Sequence, residues 1–265
     1  MFATVITMRT SKLYSLFVQQ GVFTLDEAEQ KLGTTRHNLK VLIHHLSKSG
    51  TIGNIRRGLY YVIPIGHNVE FTPNPMVIAS KLATPYYLGY HTALELHGAA
   101  YSAFHRVYVV TNETFKPFEF KGITYARVKP LDNNLEIGVG CRKVEGNCVF
   151  LSDRERTLID GIDRLLYAGG IEEYLKSVFL FPYVDAERVY KYLLALNRKV
   201  LFAKVGWVLS LFRDKWRIDT TLLRRLKTHL SKRTVYLAGK RKASKFQREW
   251  NIMVPANIAE LLQGV

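Results

Sequence analysis

Apolar positions recur every three or four residues in three successive stretches near the start of the chain. Thr10 to Gln20 carries Leu13, Leu16 and Phe17 on one face and reaches Gly21, a residue suited to ending a helix. Thr24-Leu-Asp-Glu27 is a capping box: the threonine hydroxyl can accept from the third backbone NH while the glutamate reaches back. A second helix is therefore predicted to about Leu32, stopping at Gly33. Thr34 is predicted to cap a third helix through about Lys48, with Leu39, Leu42, Ile43 and Leu46 as its inward stripe. The pattern then switches to short apolar runs. Thr51 to Ile55 and Leu59 to Ile63 read as strands joined at Arg56-Arg57-Gly58, and Ile52, Ile55, Tyr61 and Ile63 are expected to pack on the helices. Helix, turn, helix and then a basic hairpin is the order of a winged helix-turn-helix. Pro64-Ile65-Gly66 begins a linker, which places the first domain at residues 1–66.

Residues 67–265 read as a larger α+β domain with early strands and late helices. Asn74-Pro75 opens a helix over Met76 to Leu82, and Tyr86 to Leu88 is a short strand before the helix Gly89 to Gly98. Strands follow at Arg106 to Thr111, Phe118 to Phe120, Ile123 to Val128, Glu136 to Cys141 and Cys148 to Leu151. Ser152-Asp-Arg-Glu155 resembles a second capping box and starts a helix through about Ile162. Helices are then predicted over Ile171 to Phe179, Asp185 to Leu196, Ala203 to Phe212 and Thr220 to Leu230, with a late strand at Val235 to Leu237.

Charge changes the picture more than composition does. The formal net charge of the 265-residue chain is +16, yet residues 67–197 hold 14 Lys/Arg and 15 Asp/Glu. Residues 1–66 hold 8 and 3, and residues 198–250 hold 16 and 3, so the excess lies in an N-terminal region and a basic helical tail. Two separated basic regions suit a long polyanion better than a small ligand. On the third helix, Arg36, His37, Asn38 and Lys40 lie off the inward stripe, near the end from which a recognition helix reads bases. Arg can bond guanine and Asn adenine in bidentate fashion, and Thr34 and Thr35 suit a phosphate at the helix start. Arg56 and Arg57 are expected at an exposed wing tip, against phosphates or a minor groove. In the basic tail, Arg224, Arg225, Lys240, Arg241 and Lys242 are expected to add phosphate contacts. The expected partner is double-stranded DNA.

The N-terminal residues Phe23-Thr24-Leu25, Arg56-Arg57-Gly58-Leu59-Tyr60 and Pro64 resemble the first domain of AbiEi-type antitoxins of type IV toxin–antitoxin systems. Two further segments, Tyr87-Leu-Gly-Tyr-His-Thr-Ala-Leu-Glu-Leu-His-Gly98 and Leu151-Ser-Asp-Arg-Glu-Arg-Thr-Leu-Ile-Asp-Gly-Ile-Asp-Arg164, look like the signatures of that family's second domain. Tyr167-Ala-Gly-Gly-Ile-Glu-Glu173 follows them in the expected order. The resemblance implies a repressor that binds inverted repeats in its own promoter, as a monomer or cooperatively. It also implies a nucleotidyltransferase-like toxin as partner, and no catalytic residues, cofactor or metal.

Other chemistry is weaker. Asp153, Glu155, Asp160 and Asp163 fit a helix N-terminus and ion pairs with Arg156 and Arg164 better than a metal site. Glu119-Phe-Lys121 resembles half of a restriction-nuclease core, but no Asp occurs between Asp26 and Asp132 to serve an upstream strand, so a metal-dependent nuclease is the minor alternative. An interaction protein that directly holds the toxin is the principal one. His91 and His97, six apart, do not share a helix face and are expected in core or capping roles. Cys141 and Cys148 are expected as reduced core residues, with a bridge across a hairpin as the alternative. Met1 to Met8 is too short for a secretory signal and no run approaches the ~20 apolar residues of a membrane span, so a cytoplasmic location is expected.

Overall fold

A computed structural model describes residues 11–67, 70–237 and 244–263. The reading of Met1 to Met8 lies outside these residues. Within them the chain is α+β, with its strands early and its helices late.

Helical residues 11–17 (α1) bury Leu13 and Phe17. Strand β1 (Val22–Thr24) leads into α2 (Leu25–Leu32), where the capping box forms: Glu27 N donates to Thr24 Oγ1 at 3.1 Å and Thr24 N to Glu27 Oε2 at 2.8 Å. Gly33 ends α2 at φ 59°, a left-handed conformation that glycine adopts without penalty. Helix α3 (Arg36–Lys48) is capped by Thr35 rather than Thr34, through a bond from Asn38 N. Strands β2 (Ile52–Arg56) and β3 (Leu59–Val62) complete an antiparallel sheet of order β1-β3-β2.

Successive strand residues face opposite sides, and this sheet is buried on both. Phe23, Ile52 and Val62 pack on α1 to α3 with Leu39, Leu42, Ile43 and Leu46, the stripe expected from sequence. The other face, with Val22, Ile55, Leu59, Tyr61 and Ile63, does not pack on the helices. It joins Val77, Ile78, Leu88, Val109, Tyr125 and Leu151 of the following domain in one continuous core. The expectation that Ile55, Tyr61 and Ile63 cover the helices is corrected accordingly.

The second part begins with α4 (Pro75–Ala79), whose Asn74 cap accepts from Met76 N. Next come β4 (Tyr87–Leu88), α5 (Tyr90–Leu96), β5 (Arg106–Val110), β6 (Phe118–Phe120), β7 (Ile123–Val128), β8 (Val139–Val144) and β9 (Asn147–Ser152). They form a six-stranded sheet of order β6-β7-β5-β4-β9-β8. Pairs β5–β7 and β4–β9 are parallel, and the other three are antiparallel. The hairpin turns Lys121-Gly122 and Glu145-Gly146 have positive φ at both residues, the backbone that a two-residue hairpin needs. The eighth strand starts three residues later than the sequence pattern predicts.

Helices α6 (Arg154–Asp163), α7 (Ile171–Phe179), α8 (Ala186–Leu196), α9 (Lys199–Leu211), α10 (Arg213–Trp216) and α11 (Thr220–Lys227) build the largest core. Helix α6 is capped by Asp153, not by Ser152, whose hydroxyl instead meets Thr157 Oγ1. Helix α9 is buried on nearly every side, from Leu201 to Leu209. Its Gly206 lies where a β-carbon would stand 2.1 Å from the Trp250 ring. The chain closes with β10 (Val235–Tyr236), β11 (Ser244–Gln247), β12 (Ile252–Pro255) and α12 (Ile258–Leu261). The strands form a sheet of order β10-β12-β11. Residues 198–250 are therefore not a helical tail. They include the central helix of a core and two strands, and most of their described cations are exposed, Lys204 being buried.

Cys141 and Cys148 are exposed on β8 and β9 and joined by a disulfide, with sulfurs 2.13 Å apart. The expectation of reduced core cysteines is thus replaced by the cross-hairpin bridge. Their diagonal position in the antiparallel register brings them together.

Candidate nucleic-acid interface

Because the apolar stripe of α3 is fully committed to the core, its remaining residues face out. Arg36, His37, Asn38, Lys40, Val41, His44, His45 and Lys48 are all exposed. His37, Val41, His44 and Lys48 follow one another at helical spacing along the outermost line. Val41 is 43% exposed, an apolar side chain able to meet a thymine methyl. Thr35, at the cap, is exposed, and Thr34 is half-buried.

Arg36 is not free to the same degree as its neighbours. Its guanidinium bonds Asp26 at 2.5 Å and Glu29 at 3.1 Å, both on α2. Those hydrogen bonds, Asp26 foremost, raise its pKa further above the ordinary value. Reaching a base would require giving up these contacts.

The wing divides its two arginines. Arg57 is exposed at the turn. Arg56 is half-buried, its guanidinium 4.9 Å from the Phe118 ring centroid and 5.5 Å from that of Phe115. Burial lowers its pKa from the usual arginine value. Arg56 therefore fastens the wing to the edge of the six-stranded sheet. The turn itself is tied to α2 through Leu25 N, which donates to Gly58 O at 2.9 Å.

Arg36, Lys40, Arg56, Arg57 and Lys81 line one cleft of about 380 Å3, with Asp26 as its acidic member. Lys81 was not among the residues expected from sequence. It lies in the turn just after α4 and bonds Glu27 at 2.6 Å, so the glutamate that caps α2 also anchors the second part of the chain. No local motif marks Lys81, because fifty-four residues separate the pair. Asn147 ties the same two parts together, donating to Gln20 O at 3.0 Å.

The second basic region lies elsewhere. Arg224 is exposed on α11, whereas Arg225 bonds Glu187 at 2.6 Å and sits 4.3 Å from the Tyr190 ring centroid. Lys227 bonds Glu249 at 2.6 Å. Lys240, Arg241 and Lys242 lie outside the described residues. Lys204 is almost buried on α9, donating to the carbonyls of Ile162 and Asp163, and burial lowers its pKa.

The remaining candidates have structural partners. Arg156 and Asp160 form a fully buried pair at 2.7 Å. Tyr87 joins them, its hydroxyl donating to Asp160 and accepting from Arg156. His91 is buried against Glu173 at 3.1 Å and stacks on Phe104, and His97 meets Ser152 O at 2.8 Å. Lys121 donates to the carbonyls of Glu70 and Phe71 while Glu119 is exposed on β6. Among the described residues, no group of three or more His, Cys, Asp or Glu is placed to hold a metal ion. None of their helices is long and apolar enough to cross a membrane.

No family model and no curated protein matches the chain. Among solved structures it is similar to the RV2827C protein from Mycobacterium tuberculosis, with a TM-score of 0.59 and 13% identity. The match covers 96% of this chain and 93% of that one. At that identity the likeness concerns the fold alone.

Proposed function

We propose that the chain is a DNA-binding transcriptional repressor and antitoxin that acts in the cytoplasm on its own promoter, with residues 11–66 working as a winged helix-turn-helix. The observation that carries this reading is the cleft where the exposed start of α3 meets the wing: Arg36, Lys40 and Arg57 stand together there, with His37 and Asn38 beside them on the helix. Phosphates in that cleft set the register, and His37, Asn38, Val41 and His44 address the major-groove edges. Arg36 orders the α2–α3 turn and Arg56 holds the wing in place. The antitoxin part of the proposal rests on the resemblance of the second-domain segments to AbiEi-type proteins, which also supplies a nucleotidyltransferase-like toxin as the partner.

The test is fluorescence anisotropy with a duplex from the chain's own upstream region, titrated across salt concentrations. Each phosphate neutralised steepens the fall of log K against log salt by about 0.9. Lys40→Ala and Arg57→Ala are each expected to reduce that slope by about one such step. Binding that ignores salt, or that neither substitution alters, would overturn the proposal. Stable co-purification with the toxin encoded beside it tests the antitoxin half separately.

A further inference from the structure

The wing is held by a segment that charge counting passes over. Residues 67–197 hold 14 basic and 15 acidic residues, so no local excess marks the connection between β5 and β6. The fold brings it to the wing. Phe115 and Phe118, whose ring centroids lie 5.5 and 4.9 Å from the Arg56 guanidinium, bracket Lys116 in that connection. Consecutive Cα atoms are about 3.8 Å apart. Lys116 therefore stands one residue from this contact on the loop, and Arg57 stands one residue from it on the wing. Both are exposed, and Lys116 makes no hydrogen bond or ion pair with any described residue.

The loop carries further donors. Asn112 and Thr114 are exposed, and neither side chain has a hydrogen-bond partner among the described residues. Glu113 is its one acid. The loop is nonetheless fixed at both ends. Arg127 donates to Thr111 O at 3.3 Å and to Asn112 O at 3.1 Å. Thr111 Oγ1 donates to Pro85 O at 2.8 Å and accepts from Glu113 N at 3.1 Å. At the far end Phe118 stacks on Tyr125, with centroids 5.0 Å apart. Phe115 and Phe118 pack on the same core as Ile55 and Leu59 of the wing. A ligand spanning loop and wing thus meets them already ordered, which removes part of the entropic cost of binding.

We propose that the duplex-binding surface continues past the wing onto this loop: granted the reading of α3 and the wing as a DNA-binding element, Lys116 takes a backbone phosphate next to the one at Arg57, with Asn112 and Thr114 beside it. Each strand of a duplex carries one charge per about 3.4 Å of axis, so a strand that reaches Arg57 offers further phosphates to a cation on the adjoining loop. Ammonium, amide and hydroxyl groups are the usual donors to phosphate, and such contacts set register without reading sequence. The loop lengthens the footprint on the wing side.

The experiment measures anisotropy of a labelled duplex from the chain's own upstream region, and of the same duplex shortened stepwise from either end, using the full chain. On the longest duplex Lys116→Ala lowers the slope of log K against log salt by about 0.9. The urea midpoint stays unchanged, because the side chain is exposed and makes no bond to lose. Shortening from the wing side abolishes the difference between Lys116→Ala and the native chain before it abolishes that of Arg57→Ala. Equal slopes for the native chain and Lys116→Ala on the longest duplex, with Lys40→Ala and Arg57→Ala still flattening it, would overturn the extension and leave the winged-helix reading standing. A Lys116→Ala effect of one size at every duplex length would be a long-range field and not a contact, and overturns the extension too. Absence of duplex binding by the native chain removes both.

Discussion

Replacing Arg56 with alanine removes a cation that sits over two rings, Phe118 at 4.9 Å and Phe115 at 5.5 Å. A cation–π contact contributes about 0.5–1 kcal/mol when exposed and about 2 kcal/mol when desolvated, and this guanidinium is half-buried. The stem also covers apolar surface between the wing and the sheet edge. Arg56→Ala is therefore expected to destabilise the chain by about 1–2 kcal/mol. In urea unfolding it appears as a lower midpoint with an unchanged slope. Arg57→Ala is expected to do the reverse. It leaves the midpoint alone, because the side chain is exposed, and flattens the salt dependence of duplex binding by about 0.9. The two adjacent arginines thus separate a fastening role from a phosphate role. If Arg56→Ala leaves stability untouched and costs as much salt slope as Arg57→Ala, both point at DNA and the docked-wing geometry is wrong.

Three further outcomes follow from the interior. Gly206→Ala drives a β-carbon into the Trp250 ring and is expected to cost about 1–3 kcal/mol, read by thermal or urea unfolding; a neutral result would mean that α9 and Trp250 are not in contact. Arg156→Met leaves Asp160 buried without its partner and is expected to cost about 3–5 kcal/mol, with Asp160→Leu in the same chain restoring part of it; equal stability of the single variant would exclude the buried pair. Glu173 gives a pH dependence. Burial alone would raise its pKa, but hydrogen bonds from Ser102, His91 and Ser177 outweigh that and hold it below the usual glutamate range. A depressed native pKa contributes stability fully present above the unfolded value and lost as pH falls through the native one. The native chain should thus lose more stability than Glu173→Gln between pH 7 and about pH 3, and parallel losses would refute the network.

The N-terminal elements were legible because their signals are local. A capping box, a glycine stop and a stripe at steps of three and four specify α2 and α3 without reference to the rest of the chain. What lay beyond local reading was the second face of the small sheet. Ile55, Tyr61 and Ile63 alternate correctly for a strand, but alternation does not say which partner covers each face, and the partner lies in residues 77–151. The half-buried setting of Arg56 escapes local reading for the same reason, since its aromatic neighbours Phe115 and Phe118 are about sixty residues away in sequence. The basic tail misled differently. The helix expected over Ala203 to Phe212 is buried on nearly every side from Leu201 to Leu209, with Lys204 as its one cation there, which a charge count does not reveal, and the short strands β11 and β12 carry too few residues to show a period. The cysteine pair was underweighted because its meaning depends on hairpin register. The segments Tyr87–Gly98 and Leu151–Arg164, far apart in sequence, meet inside the fold: β4 pairs with β9, and Tyr87 closes on Arg156 and Asp160. Their chemistry maintains the core.

The most direct test of the repressor account is a hydroxyl-radical footprint of the full chain on its own upstream DNA. The account predicts protected inverted repeats, with protection lost in Asn38→Ala and weakened at all positions alike in Lys40→Ala. Absence of a protected site, or a footprint identical in both variants, would contradict the assignment of α3 as the element that reads DNA.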